Sequence, residues 1–88
     1  NLKNKNVIKE SLLSLFNKFL KIKKIKFNID GFEEMDCLSL AKLICVIAPL
    51  DHLIKQMLLE FNNSEDFLNN LVSVLEIEMQ NIENIKVN

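Results

Sequence analysis

"APLDHLIKQMLLE", residues 48–60, is the stretch on which the reading of the fold turns. A dense apolar run, 43–50, stops at Pro49-Leu50-Asp51, and a helical pattern restarts at His52. Proline lacks an amide hydrogen and pushes the residue before it away from helical φ/ψ, so a helix ends here. Asp is among the residues that cap a helix start, which suits Asp51. The stretch reads as a tight corner that folds one helix back beside another.

Working outward, the same logic covers the whole chain. It has one Gly and one Pro in 88 residues, and few alternating β-branched runs, which points to an all-α domain. Four helical segments form a small four-helix arrangement. In the first, 4–24, Ile8, Leu12, Leu15, Phe16, Phe19 and Ile22 keep an i, i+3, i+4 rhythm, with Lys9, Lys18, Lys21 and Lys23 mostly opposite. Residues 25–35 lose that rhythm; Asp30-Gly31 is a turn signal, and a short strand over 25–29 would have no partner. The second helix, 37–47, is apolar nearly all round and has Asp36 as its N-cap, which places it at the centre of the bundle. The third, 52–61, is expected to bury Leu53, Met57, Leu58 and Phe61. The fourth, 64–87, opens on Asn63 with Asp66 three residues on, a capping-box pattern, and spans about 36 Å at 1.5 Å per residue. Its last turns carry few apolar residues, so it is expected to overhang the bundle and continue into something else.

Bulk composition narrows the function. The apolar fraction of 49% is ample for a folded core. Residues 1–26 hold eight Lys and one acid, a net of +7, while 27–88 hold three Lys and eleven acids, a net of −8. The chain has no Arg, the side chain that grips phosphate or carboxylate in a fork, so specific anion recognition is not expected. Cys37 and Cys45 are eight apart, about 12 Å along a helix, too far to bond; two buried thiols are expected. The run 43–50 is well short of the roughly 20 residues of a membrane span. A soluble, cytoplasmic protein is expected, and a start at Asn1 suggests a fragment or processed product.

Residues 40–82 also resemble the helical end of the N-terminal, substrate-recognition domain of the Lon ATP-dependent proteases. Leu40-Ala41, Ile44, Pro49-Leu50, Lys55-Gln56, Leu59-Glu60, Leu68, Leu71 and Leu75-Glu76-x-Glu78 fall in step with that family's pattern without gaps. Residues 7–24 are similar in character to the preceding family helix. Two positions depart from it: Phe67 where the family usually has Arg, and Lys42 where it often has Asp. The resemblance implies a non-catalytic protein-binding lobe that helps recognise unfolded or damaged proteins, supports hexamer assembly, and leads through a long helix to an ATPase ring. Its partners would be unfolded protein substrates, the remainder of a Lon-like chain and further copies of itself, with no membrane and no nucleic acid. The family's β-rich first part, its Gly-Lys-Ser/Thr phosphate loop and its Ser-Lys peptidase dyad have no counterpart here. The competing reading is a free-standing helical adaptor or oligomerisation module. A Lys-rich nucleic-acid binder is the weakest.

No catalytic, cofactor or metal site emerges. His52 is a lone imidazole with no second ligand at metal spacing. Glu76 and Glu78 are two apart on a helix and point to different sides. Ser11, Ser14, Ser39, Ser64 and Ser73 have no companion base. In the Lys55-Gln56 pair, Gln56 is expected to bond backbone at the Pro49 corner while Lys55 is solvated. Lysines in "KFLKIKKIK", 18–26, read as the solvated end of a helix. Apolar side chains left in solvent are the natural grip on unfolded protein, and the flanks of the second helix with Phe27, Phe32, Phe61 and Phe67 are the candidates.

Overall fold

The i, i+3, i+4 rhythm becomes four helices in chain order: α1 (Leu2–Ile22), α2 (Cys37–Ile47), α3 (His52–Leu59) and α4 (Ser64–Val87), with a short 3-10 turn at Phe32–Glu34. The structure, a computed structural model, describes residues 2–87, and describes side chains over 8–81. No strand occurs among the described residues. The expected overhang of α4 falls largely on side chains outside that range.

α1 packs against α4 and α2, and α2 and α3 each pack against α4 and against one another. The core is one cluster at their junction. Leu12, Phe16 and Phe19 of α1, Leu40, Ala41, Ile44 and Cys45 of α2, Leu58 of α3, and Leu71 and Leu75 of α4 are completely buried. The rings of Phe16 and Phe19 lie stacked, 6.5 Å between centroids. Each such aliphatic or aromatic side chain contributes roughly 1.5–3 kcal/mol by leaving water. Phe67, at 4% exposure, joins this core.

α1 ends in a Schellman turn. Ile25 N–H donates to the Leu20 carbonyl (2.9 Å) and Lys24 N–H to the Lys21 carbonyl (3.1 Å), and Lys24 takes the left-handed position, φ 59°. Residues 25–29 then have no regular structure. The segment returns alongside α1, with Ile29 and Asp30 beside Leu13, Ser14 and Asn17, until the 3-10 turn packs on that helix. There the Lys9 ammonium, expected in solvent, donates to the carbonyls of Glu33 and Met35. Gly31, φ 88°, makes the bend into that turn, a conformation an L side chain resists.

α2 has the expected bounds and cap: Asp36 accepts from Ser39 N–H at 3.1 Å. Asn63 likewise caps α4, accepting from Glu65 N–H at 2.8 Å and more weakly from Asp66 N–H at 3.4 Å. α3 differs from expectation in two ways. It stops at Leu59, with Glu60 as its C-cap, so Phe61 lies beyond it. And the side it turns inward carries Ile54 and Leu58, with Phe61 after them, while Leu53 and Met57 face out. Leu50, Ile54 and Leu58 are spaced i, i+4, i+8, and that row fits the gap left by α2 and α4.

Candidate protein-binding surface

The four phenylalanines separate. Phe32 and Phe67 are buried in the core and offer nothing to a partner. Phe61 is half-buried at the end of α3. Phe27 is 46% exposed on the irregular segment, its ring 6.1 Å from that of Phe32. They do not form one surface.

Other apolar residues are exposed on α3 and on the last turn of α2, and singly at Ile8, Ile25 and Ile77. Leu53 is 70% exposed, Val46 61% and Met57 44%, and Leu59 is also mainly in solvent. Leu53 and Met57 stand one turn apart on the outer side of α3. Val46 and Leu59 flank its other side, along the seam with α2. Lys55 holds that seam: its ammonium donates to the Val46 carbonyl at 2.6 Å. This reverses the expected roles of the Lys55-Gln56 pair, since Gln56 is the exposed member. The reason is reach. A lysine at the seam can extend to a carbonyl of the last turn of α2, where orphan acceptors and the negative dipole end favour a cation.

At the far end of the seam, Leu38, Lys42, Leu58, Leu59, Phe61 and Phe67 line a hollow of about 130 Å³. Sites for drug-sized molecules begin at roughly 300 Å³, so this is room for one side chain. Hollows of about 430 to 460 Å³ along α1 are open depressions in its surface. Shape favours a chain laid across a surface over a small molecule held in a cleft.

The chemistry-bearing side chains are scattered. His52 and the serines 11, 14, 39, 64 and 73 are all exposed, on different elements. Cys37 and Cys45 are both buried on α2. Burial pushes the Cys45 thiol above its ordinary value, against a smaller opposing pull from Lys55, so it is held as a neutral thiol, a poor nucleophile. Among the described residues no group of three His, Cys, Asp or Glu could hold a metal ion. None of the described helices is long and apolar enough to cross a membrane.

Sequence reasoning offered the flanks of α2, where Val46 lies, but missed Leu53, Met57 and Leu59 as surface. The available signal was an excess: five of the eight residues of α3 are apolar, more than one buried row on so short a helix can use. Comparison with family models, with curated proteins and with solved structures finds no match.

Proposed function

We propose that this chain is a non-catalytic, cytoplasmic protein-binding lobe that grips unfolded polypeptide, and that it belongs to an ATP-dependent protease of the Lon type. The observation that supports the binding part is the exposed pair Leu53 and Met57, one turn apart on the outer side of α3 just past the Pro49 corner. Leu53 in particular spends most of its surface in water, which is unfavourable in isolation and favourable against another apolar chain. The Lon assignment rests on the ordered residues between Leu40 and Glu78, which bracket this corner. On that reading Lys55 holds the seam, the lobe supports assembly of the parent hexamer, and hydrolysis occurs elsewhere.

The test uses the intact chain and a permanently unfolded, casein-like protein carrying a fluorescent label. Binding should be seen by anisotropy, should not depend on ATP, and should leave the substrate uncut. Leu53→Ser with Met57→Ser should weaken it severalfold while thermal unfolding stays unchanged. Equal binding by that variant would remove the corner from the proposal, and turnover of the substrate would remove the non-catalytic role. A phosphate-loop Gly-Lys-Ser/Thr encoded in the same reading frame would support the protease assignment; its absence would favour the adaptor.

A further inference from the structure

We propose that the end of α1 and the irregular segment after it, 25–29, form a docking site for an anionic lipid surface. Two independent features place it there. The first is charge. Lys18, Lys21, Lys24 and Lys26 are exposed, and Lys23 is half-buried with its ammonium 5.7 Å from the centre of the Phe19 ring. No acidic residue occurs between Glu10 and Asp30. Of the acids that follow, Glu33 lies back along α1 where Lys9 reaches its carbonyl, and Asp30 lies beside Asn17. Four to eight clustered lysines are the usual density of an anionic-membrane footprint.

The second feature is what lies among the lysines. Lys24, Ile25, Lys26 and Phe27 are consecutive and all exposed. An aliphatic and an aromatic tip between ammonium groups suits the headgroup boundary, where apolar side chains enter and lysine stems lie along them with their charges in water. Lys24 stands at the apex in a left-handed conformation, φ 59°, a position glycine fills without strain. A lysine there presents charge at the turn at a conformational cost.

Nucleic acid is the other polyanion such lysines could meet, and the same residues argue against it. Its grooves and phosphates are gripped by Arg forks and by stacked aromatic platforms. The chain has no Arg, and Phe27 is the one aromatic residue within the segment's exposed tip. An exposed Ile25 gains nothing from a phosphate backbone.

The chain contains no Trp and no Tyr, so Phe27→Trp makes its own reporter. On adding vesicles of phosphatidylserine and phosphatidylcholine in equal amounts, its emission should shift to the blue and the protein should sediment with the vesicles. Vesicles of phosphatidylcholine alone should do neither. Each lysine near such a surface strengthens binding roughly fivefold. Lys21→Gln, Lys24→Gln and Lys26→Gln together should therefore weaken it about a hundredfold, with an unchanged circular-dichroism melt. An unmoved emission maximum with the charged vesicles overturns the proposal, and so does binding that survives the triple substitution. Lysine-dependent binding of an oligonucleotide, with vesicles ignored, would assign the patch to nucleic acid instead. None of these outcomes bears on the unfolded-protein test at the Pro49 corner.

Discussion

α2 and α3 are joined by four residues and are both rich in apolar side chains, yet they sit in the molecule in different ways. α2 buries Cys37, Leu40, Ala41, Ile44 and Cys45, and touches each of the other three helices. α3 fully buries Leu58 alone. α2 is held by packing on several sides; α3 is held by one row of side chains and a lysine. Apolar content fixes how much a helix could bury, but the number of neighbours decides how much it does. The surplus on α3 is left in solvent, where it is free to bind.

The largest effect that would test this contrast is a pair of truncations in the two helices. Ile44→Ala removes a completely buried side chain from the centre of the core and should cost about 3–4 kcal/mol in urea unfolding. Leu53→Ala, on a side chain 70% exposed, should change stability by less than about 0.5 kcal/mol. Comparable losses would mean that α3 is packed as tightly as α2.

Leu58→Ala comes next, at about 2–3 kcal/mol, because the end of α3 can partly collapse onto the hollow beside it. Its more telling signature is in amide exchange. α3 has a single deep anchor, so its amides should open locally at a lower free energy than those of α2, and this variant should widen the gap. Uniform exchange across both helices would merge them into one cooperative unit.

Lys55→Met keeps the stem of the side chain and deletes the charged bond to the Val46 carbonyl. A hydrogen bond to a charged group contributes up to about 3 kcal/mol, and a partly exposed one nearer 1 kcal/mol. The loss should appear in α3 amides before α2 amides. Gln56→Met, one residue along on an exposed position, should be silent.

What the sequence made legible follows the same division. α2, with chemical signals at both ends, has the bounds its residues imply: Asp36 at one end and Pro49 after the other. α4 is equally plain from Asn63 and the Phe67, Leu71, Leu75 row. The inward face of α3 was not legible. Leu53 with Met57 and Ile54 with Leu58 are both apolar i, i+4 pairs, and periodicity alone cannot choose between them; the gap between α2 and α4 does. The candidate phenylalanines failed to gather for a related reason. Phe32 and Phe67 are large enough to be claimed by a core that has few other aromatics, and nothing local to them says so. Lys9 and Lys55 read as solvated because their partners, the carbonyls of residues 33, 35 and 46, are backbone atoms that no residue pattern reveals.

The smallest expected effect concerns the caps. Asp36 and Asp51 occupy the same position at the starts of α2 and α3, but Asp36 accepts from Ser39 and Asp51 makes no side-chain capping bond. The hydrogen bonds from Ser39 hold the Asp36 carboxyl below its ordinary value of 3.8. A carboxylate lowered on folding stabilises the folded state when ionised. That contribution is present above pH 3.8 and is lost as pH falls through the lower, folded value. Asp36→Asn retains a capping side chain and removes the titration. The stability difference between wild type and Asp36→Asn should therefore shrink as the solution is acidified through this range. A difference that stays level through it would show that the bonds from Ser39 add nothing at the start of α2, and that α3 is looser than α2 through its packing alone.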